Sequence, residues 1–203
     1  MNIEGNELEI KFYLSRRNEI EKKISALGKV IAPRVLESNL RFDTPGGSLS
    51  SEGKLLRLRR DTRTRVTYKG PGVSQGGAHL RQELEFTVSD FDTARALLEA
   101  LGYQVYTIYE KYRTTYLVRD LEVVLDELPN GDFLEIEGPD AESIHGLAQQ
   151  LGFNWDRRIM DSYTVLFERM RTQLGLTFRD LTFENFKGID AKPEAIGLLP
   201  ADE

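Results

Sequence analysis

The chain contains no cysteine, one tryptophan and two histidines among its 203 residues. The absence of cysteine excludes disulfides, zinc thiolate sites and cysteine nucleophiles. His79 and His145 each stand without a catalytic partner nearby in the sequence, so we expect surface positions for both rather than metal ligation. The chemistry of this chain must therefore come from its carboxylates, lysines and arginines.

Long apolar runs are also absent from the sequence. No stretch approaches the roughly 18 consecutive apolar residues that a membrane-spanning helix requires. Residues 1–5 lack the basic segment and the following apolar run of a signal peptide. We therefore expect a cytoplasmic location and no membrane partner.

Charge of one sign does not dominate the composition. Charged residues make up 30% of the chain and hydrophobic residues 40%, which is typical of a folded soluble protein with a core. A formal net charge of -6 argues against general nucleic-acid binding, although it leaves room for a local basic pocket. The length suits one substantial domain, or one domain with an appendage.

What the sequence does contain is a regular alternation of charged and apolar residues, which begins near the N-terminus. In a strand over residues 7–12, Glu7, Glu9 and Lys11 share one face. Two adjacent carboxylates repel each other unless a cation lies between them, and a divalent metal is such a cation. Lys11 could bind a phosphate. The ordinary alternative is a half-buried strand whose charged face meets water.

The same alternation recurs along most of the chain. Helices are predicted over residues 16–27, 94–101, 140–151 and 160–174. Each carries an apolar stripe, which would pack on the apolar face of a sheet. The charged face of that sheet is either open to water or curled into a closed barrel with a charged lumen. Alternation alone leaves both open, because exchanging inside and outside does not change the pattern. The charged rows are Arg57/Arg59, Arg65/Lys69, Arg81/Glu83/Glu85, Lys111/Arg113 and Glu135/Glu137.

Turn and cap residues mark the ends of these helices and strands. Ser15 and either Asp90 or Asp92 are predicted helix N-caps. The glycine-rich residues 70–77 lack a Gly-Lys-Ser/Thr ending and a following helix, so we interpret them as a flexible hairpin connection and not a phosphate-binding loop. The remaining strands are predicted over residues 30–44, 54–60, 64–69, 81–88, 103–118, 121–128 and 133–137.

The last part of the chain has a different composition. We divide the chain into a domain over residues 1–172 and an extension over residues 173–203. The extension carries several Phe and Leu residues without a long period, and disordered tails carry few of these. We expect it to dock on the domain; the alternative is a partner-binding tail.

A set of short motifs in a fixed order gives the chain a family resemblance. The opening Glu7-x-Glu9-x-Lys11 resembles the signature of the CYTH superfamily, the triphosphate tunnel metalloenzymes, and the match covers about residues 5–172. The stretch from Leu125 to Gly138 is most similar to the class IV adenylate cyclase branch. The other motifs are Phe42-Asp43-Thr44-Pro45, Leu56-Arg57-Leu58-Arg59, Tyr68-Lys69-Gly70-Pro71, Arg81-x-Glu83-x-Glu85, Lys111-x-Arg113, Leu125-Asp126, Gly131-Asp132-Phe133-Leu134-Glu135-Ile136-Glu137 and Asp161-Ser162-Tyr163.

This resemblance implies an α+β fold: an eight-stranded antiparallel β-barrel, the triphosphate tunnel, with helices packed outside. It implies Mg²⁺ or Mn²⁺ as cofactor and a metal-activated nucleophile, with Asp126 and Tyr163 as candidate catalytic residues and no general base named. The implied metal ligands are Glu7, Glu9, Glu135 and Glu137, supported by Glu83, Glu85 and Asp126. The implied triphosphate-binding residues are Lys11, Arg57, Arg59, Lys69, Lys111 and Arg113.

The resemblance also ranks the activities. A class IV adenylate cyclase converts ATP to cyclic AMP and pyrophosphate, and this is the first expectation. The alternatives are hydrolysis of inorganic tripolyphosphate or thiamine triphosphate, and a non-catalytic module that binds polyphosphate or nucleotide. The expected partners are thus a nucleoside triphosphate, tripolyphosphate or another organic triphosphate, with no nucleic acid and with a homodimer left open.

Overall fold

Eight antiparallel strands close into a ring, which confirms the barrel that the sequence predicted. The computed structural model describes residues 6–203, with side chains from residue 8 onward. Around the ring the order is β1-β9-β8-β7-β2-β3-β4-β6, and β6 pairs back onto β1. The short β5 forms a hairpin with β6. The strands are β1 (Asn6–Leu14), β2 (Lys29–Asp43), β3 (Leu55–Arg60), β4 (Thr64–Lys69), β5 (Val73–Gln75), β6 (Ala78–Val88), β7 (Gln104–Val118), β8 (Leu121–Leu128) and β9 (Gly131–Glu137).

Strand β1 makes the closure by pairing with two neighbours in turn. Residues 6–9 of β1 pair with residues 79–82 of β6, and residues 9–14 pair with residues 132–137 of β9. A closed ring leaves no unpaired sheet edge on β1, which removes a site of aggregation.

The α-helices of the described residues are α1 (Arg17–Leu27), α2 (Ser48–Ser51), α3 (Phe91–Ala100), α4 (Ala141–Leu151) and α5 (Tyr163–Leu174). Helices α1, α3 and α4 lie on the outer face of the ring, whereas α5 packs across one end of its interior. Because β-strands alternate, covering the apolar face with helices turns the charged face toward the interior. This packing decides between the two arrangements that alternation had left open.

Two apolar clusters hold the helices to the ring. Helices α1 and α4 cover β1, β8 and β9, and each fully buried Ile, Leu or Phe there stabilises the fold by about 1.5–3 kcal/mol. Helix α3 covers β2, β3 and β4. The first cluster includes Ile10, Phe12, Ile20, Ile24, Val123, Leu134, Ile136, Ile144, Leu147 and Leu151. The second includes Leu40, Phe42, Leu58, Val66, Ala94 and Leu98.

A third cluster fills one end of the ring interior. Tyr13 and Phe133 come from strands and pack with Tyr163 of α5, with ring centroids 5.5 Å apart for the first pair and 5.1 Å for Phe133 and Tyr163. Tyr13 lies two residues beyond Lys11 and therefore shares the inner face with it. Aromatic side chains thus occupy this end of the interior, and the charged side chains occupy the rest.

Several predicted boundaries were wrong, each for a local reason. Ser15 is not the cap of α1, which begins after Arg16 and has no side-chain cap of its own. Helix α5 begins at Tyr163 and not at residue 160, because Ser162 caps it by accepting from the amide of Val165 at 3.4 Å. Of the two candidate caps for α3, Asp90 is the one that accepts from a backbone amide. The glycine-rich connection contains β5, which ends at a turn through two glycines with positive φ.

The segment after α5 runs back along β7. The amide of Leu181 donates to the carbonyl of Ile108, and the amide of Glu110 donates to the carbonyl of Leu181, both at 2.9 Å. Strand β8 pairs with β7 only from Tyr112 onward, so this segment covers the part of the β7 edge that β8 leaves free. Buried side chains of the segment pack against α5; they include Leu181, Phe186, Ala191 and Ile196.

The end of the same segment reaches α1. The carboxylate of Asp202 accepts from the amides of Ser15 at 2.9 Å and Arg16 at 2.7 Å, and from the Ser15 hydroxyl at 3.1 Å. A negative charge at a helix N-terminus satisfies free amides and complements the helix dipole. Asp202 therefore supplies the cap that the sequence around Ser15 had suggested locally.

The longest helix in the described part of the chain, α5, has 12 residues. Within residues 6–203, no helix is both long enough and apolar enough to cross a membrane.

Candidate active site

The charged rows line one cavity of about 230 Å³ inside the ring. Of the predicted site residues with a described side chain, Asp126 alone does not line it. Glu7 lies in register with Arg81 of β6, but its side chain is outside the described residues. The predicted residues that the cavity brings together are Glu9, Lys11, Arg57, Arg59, Lys69, Glu83, Glu85, Lys111, Arg113, Glu135, Glu137 and Tyr163.

Two buried arginines of β3 are held in fixed orientations. Arg57 donates to the Thr67 hydroxyl at 3.1 Å and to the Tyr109 hydroxyl at 3.3 Å. Arg59 donates to the Asn39 side-chain oxygen at 2.9 Å and to Glu37 Oε1 at 3.1 Å. Because their guanidinium groups are already oriented, they can bind an anion with little loss of side-chain entropy.

Most cavity carboxylates already contact a cation. Glu135 lies 3.0 Å from Lys11 Nζ and 2.6 Å from Arg113 Nη2, and Glu83 lies 2.9 Å from Lys69 Nζ. Burial would raise the pKa of Glu135, but Lys11, Arg113 and Lys111 outweigh burial and hold that pKa well below its usual range. Glu135 is therefore ionised at neutral pH, and its carboxylate in turn raises the pKa values of Lys11 and Arg113 against the effect of burial.

Asp126 lies behind the cavity wall and binds three groups of that wall. Its carboxylate accepts from Lys111 Nζ at 2.8 Å, from Arg113 Nε at 2.7 Å and from the Tyr163 hydroxyl at 2.8 Å. Its exposed fraction is 1%. The structure thus places Asp126 where it orients cavity side chains, and its predicted support of a metal stays a prediction.

Three carboxylates lie side by side across neighbouring strands. Glu137 of β9 is the register partner of Glu9 on β1 and of Glu122 on β8, and all three line the cavity. Like charges directly opposite each other destabilise a sheet unless a cation compensates them. Carboxylate oxygens are also the donors that Mg²⁺ and Mn²⁺ prefer, so the chemistry of this donor set fits a divalent metal.

The acidic side chains of residues 8–203 do not converge on one point. Among the residues that the structure describes, no three Asp, Glu, His or Cys side chains are grouped closely enough to hold a metal ion. The fit of the site to a divalent cation therefore rests on its donor chemistry and on the row Glu9, Glu137 and Glu122.

Sequence reasoning missed several cavity residues. Tyr109 alternates with Lys111 and Arg113 along β7, and Glu122 stands four residues before Asp126 on β8, so the two-residue period could have identified both. Arg41 alternates in the same way with Glu37, Asn39 and Asp43 along β2, so the same period could have identified it. Its guanidinium donates to the Thr164 hydroxyl and, among described residues, has no carboxylate within ion-pair distance.

The two histidines differ in their surroundings. The surface position expected for His79 was wrong: it is half-buried and lines the cavity, because it shares the inner face of β6 with Arg81 and Glu83. His145 is also half-buried, and its ring centroid lies 4.4 Å from that of Trp155.

Comparisons with known proteins agree with this architecture. The family model of the CYTH domain matches residues 5–154. Adenylate cyclase CyaB of Aeromonas hydrophila is 29% identical over 180 residues, which is 82% of this chain and 91% of that protein. A putative adenylate cyclase of Vibrio parahaemolyticus has a similar fold, with a TM-score of 0.72, 24% identity, and coverage of 80% of this chain and 97% of that one.

A second solved structure is about as similar. The PH1819 protein of Pyrococcus horikoshii OT3 has a TM-score of 0.70 and 25% identity, covering 80% of this chain and 99% of that one. The family model alone spans most of the chain, and residues 5–154 include all eight strands of the described ring. This chain belongs to the CYTH domain family.

Proposed function

We propose that this chain is a divalent-metal-dependent enzyme that acts on a triphosphate. The first candidate for its activity is the conversion of ATP to cyclic AMP and pyrophosphate. One observation carries the proposal: cations from six strands and carboxylates from four strands line the same interior cavity. The cations include Lys11, Arg41, Arg57, Arg59, Lys69, Lys111 and Arg113. A small anion of high charge density is the ligand that such a wall would compensate.

The buried arginines would grip the phosphate oxygens. Arg57 and Arg59 present planar, oriented guanidinium groups, which suit contacts with two oxygens at once. Lys11 and Lys111 add point charges, and Lys111 is oriented by Asp126 at 2.8 Å. Since these groups are fixed before substrate arrives, they can stabilise the charge that develops in the transition state.

The carboxylate row would hold the metal. Glu9, Glu122 and Glu137 are the residues best placed by register, and the predicted ligands Glu7 and Glu135 lie on the same two strands as Glu9 and Glu137. When bound there, a divalent cation supplies neutralisation of phosphate charge and activation of a nucleophile.

The cavity residues would serve the reaction mainly by positioning. In the cyclase reaction the ribose 3′-hydroxyl attacks the α-phosphorus and pyrophosphate leaves in line with it. Arg and Lys groups on opposite walls would hold the chain of phosphates in that line. The 29% identity to an adenylate cyclase supports this reaction as the first candidate.

Hydrolysis of tripolyphosphate is the second candidate, and the cavity lining favours it. Leu55 and Met160 are the aliphatic or thioether side chains of a lining that is otherwise mostly charged. A purine or thiamine group would find little apolar surface there. A bare polyphosphate needs none, since water would attack its terminal phosphorus with the same residues in place.

One side-by-side assay tests the proposal. The protein is given ATP, thiamine triphosphate or tripolyphosphate with Mg²⁺ or Mn²⁺, and cyclic AMP, pyrophosphate and phosphate are quantified, with EDTA as the control for metal dependence. We expect cyclic AMP and pyrophosphate from ATP. Phosphate from tripolyphosphate alone would favour the second candidate. Ligand binding without any product would instead establish a binding module.

Two glutamates of β8 provide a matched pair of variants. Glu122→Gln changes an inward carboxylate, and Glu127→Gln changes one on the outer face that contacts Arg17 and Arg34. We expect the first to lower turnover and to raise the metal concentration needed, and the second to leave both unchanged. Equal effects of the two variants would contradict the metal assignment.

A further inference from the structure

Two tyrosines line the cavity, and the hydroxyl of one contacts a carboxylate whereas the hydroxyl of the other contacts a guanidinium group. The Tyr163 hydroxyl donates to the carboxylate of Asp126 at 2.8 Å, and burial together with this carboxylate raises the pKa of Tyr163 well above its usual value. The Tyr109 hydroxyl instead accepts from Arg57 Nη1 at 3.3 Å. A phenol that donates to a carboxylate keeps its proton, whereas a phenol that accepts from guanidinium is ready to lose it.

Cations from β2, β3 and β7 lie near Tyr109. Arg57 and Arg59 come from β3, Arg41 from β2 and Lys111 from β7 itself. The nearby carboxylates are already engaged: Glu37 Oε1 lies 3.1 Å from Arg59, and Glu85 Oε2 lies 3.6 Å from Arg57. On the other side of β7, the Asp180 carboxylate is bound by the Ile108 amide at 2.8 Å.

These charges act on the phenol directly. Burial raises the pKa of Tyr109, but Arg57, Lys111 and Arg59 outweigh burial and lower this pKa to about 8. A base whose pKa lies near the working pH combines a useful unprotonated fraction with the strength to remove a proton. Tyr109 is also 5% exposed and lines the cavity, so its oxygen is sheltered from bulk water yet open to a ligand.

We propose that the Tyr109 phenolate is the proton acceptor for the attacking hydroxyl in the triphosphate cavity. This inference rests on the proposed function. The phenolate oxygen takes the proton of the ribose 3′-hydroxyl, or of water in the hydrolase, while the new oxygen–phosphorus bond forms. The bond to the pyrophosphate or phosphate leaving group breaks, the leaving group departs with its electron pair, and the phenol returns its proton to solvent. No oxidant, reductant or further reactant is required.

Asp126, Glu135 and Tyr163 are less suited to this step. Asp126 lies behind the wall, and Glu135 is held in its ionised form by Lys11 and Arg113, which makes it a weak base. Tyr163 keeps its proton because of Asp126. Tyr109 combines the cavity position with cations that compensate its ionised form.

A spectroscopic titration tests the ionisation without turnover. The chain has eight tyrosines, and each phenolate adds absorbance near 295 nm. We expect one tyrosine of the wild-type protein to ionise near pH 8 and this step to be missing in Tyr109→Phe. Tyr68→Phe, on the outer face of β4, is the matched control and should keep the step. A wild-type titration without any step below about pH 9.5 would overturn the proposal.

The pH dependence of turnover tests the role. For wild-type protein we expect kcat/KM to rise with pH, to be half-maximal near pH 8 and to level off above it, since this profile reports the free enzyme. The rising part of the pH profile of kcat should lie at higher pH, because bound phosphates neutralise the cations around Tyr109 and thereby raise its pKa. Tyr109→Phe should lower kcat/KM by about 100-fold or more near pH 8, and its profile should keep rising with hydroxide.

A structural role would give a different result. If Tyr109 only positions Arg57, Tyr109→Phe should raise KM and leave the shape of the profile unchanged, and that outcome would overturn the proposal. Replacing Tyr109 with 3-fluorotyrosine, a more acidic phenol of nearly the same size, should shift the limb to lower pH and preserve folding. An unshifted limb would count equally against the inference.

These outcomes separate the two levels of inference. No turnover of any triphosphate by wild-type protein would overturn the proposed function together with the role of Tyr109. Turnover by wild-type protein with an identical Tyr109→Phe profile would overturn the role of Tyr109 alone.

Discussion

Arg113 and Asp126 form a two-point contact in the wall of the ring, with Nε donating to Oδ1 at 2.7 Å and Nη2 donating to Oδ2 at 2.5 Å. The same carboxylate also accepts from Lys111 and Tyr163. One buried charge therefore fixes three side chains that face the cavity. A buried ion cluster of this kind is sensitive to the loss of any single member.

The first prediction concerns that carboxylate. Asp126→Asn leaves Lys111 and Arg113 buried with one fewer compensating charge, so we expect the free energy of unfolding to fall by about 3–5 kcal/mol. Urea denaturation at neutral pH measures this change. Asp120→Asn, at the exposed turn between β7 and β8, is the control and should change stability by less than about 0.5 kcal/mol. An unaltered midpoint for Asp126→Asn would contradict the assignment.

The second prediction concerns acid stability. Burial raises the pKa of Glu37, but Arg113, Lys111 and Arg59 outweigh burial and lower this pKa from 4.5 to about 2. Because the folded pKa is depressed, the contribution of Glu37 is fully present above about pH 4.5 and is lost as pH falls toward 2. We expect this contribution to be roughly 3 kcal/mol.

The variant Glu37→Gln isolates this effect. At neutral pH it should be less stable than wild type, since Arg59 and Lys111 lose a buried partner. Between pH 4.5 and pH 2 its unfolding free energy should fall less steeply than that of wild type. Parallel curves over this interval would show that Glu37 has an ordinary pKa in the folded state.

The third prediction concerns the cap of α1. Asp202→Ala removes the acceptor of the Ser15 and Arg16 amides, so we expect a loss of about 1 kcal/mol and faster hydrogen exchange at these two amides. Hydrogen exchange followed by NMR or mass spectrometry measures this change. Asp190→Ala, an exposed carboxylate of the same segment, is the control. Unchanged exchange at Ser15 and Arg16 would mean that the cap is absent in solution.

The fourth prediction concerns Arg41, which lines the cavity and donates to the Thr164 hydroxyl. Among described residues it has no carboxylate at ion-pair distance, so its charge is available to a bound anion. Arg41→Met should weaken tripolyphosphate binding by roughly 10- to 100-fold, as expected for one charge-assisted hydrogen bond. Isothermal titration calorimetry measures this affinity.

The stability of Arg41→Met should differ from its binding, because only binding should be weakened. Since no ion pair is lost, Arg41→Met should not lower the unfolding free energy, unlike removal of a paired cavity residue. Arg60→Met, at the exposed end of β3, is the binding control and should keep wild-type affinity. A large loss of stability in Arg41→Met would reveal a partner in the fold and would contradict its availability to ligand.

The sequence predicted the strands well where a local pattern defines them. Strands β4 and β8 begin and end at the predicted residues, because alternation and flanking turns mark both ends. Local pattern does not determine which face of a strand looks inward. The family resemblance supplied that orientation, and the outer position of α1, α3 and α4 accounts for it physically.

Residues fixed by distant partners were harder to predict. Ser15 has the composition of a cap, but the acceptor comes from Asp202, which no local rule could indicate. Asp126 and Glu122 share one face of β8, yet only Glu122 lines the cavity. The difference arises because Lys111, Arg113 and Tyr163, from other elements, enclose Asp126.

The contact between Asp202 and Ser15 has a consequence for the order of events during synthesis. These residues are separated by 187 positions, so the ribosome makes the first helix long before its capping carboxylate exists. Strand β1 likewise waits for β6 and β9 before it gains its neighbours. Contacts of such long separation slow folding. The N-terminal segment of the nascent chain therefore lacks its helix cap and its strand partners until nearly the whole chain has emerged, and the edges of β1 are exposed to aggregation during that time.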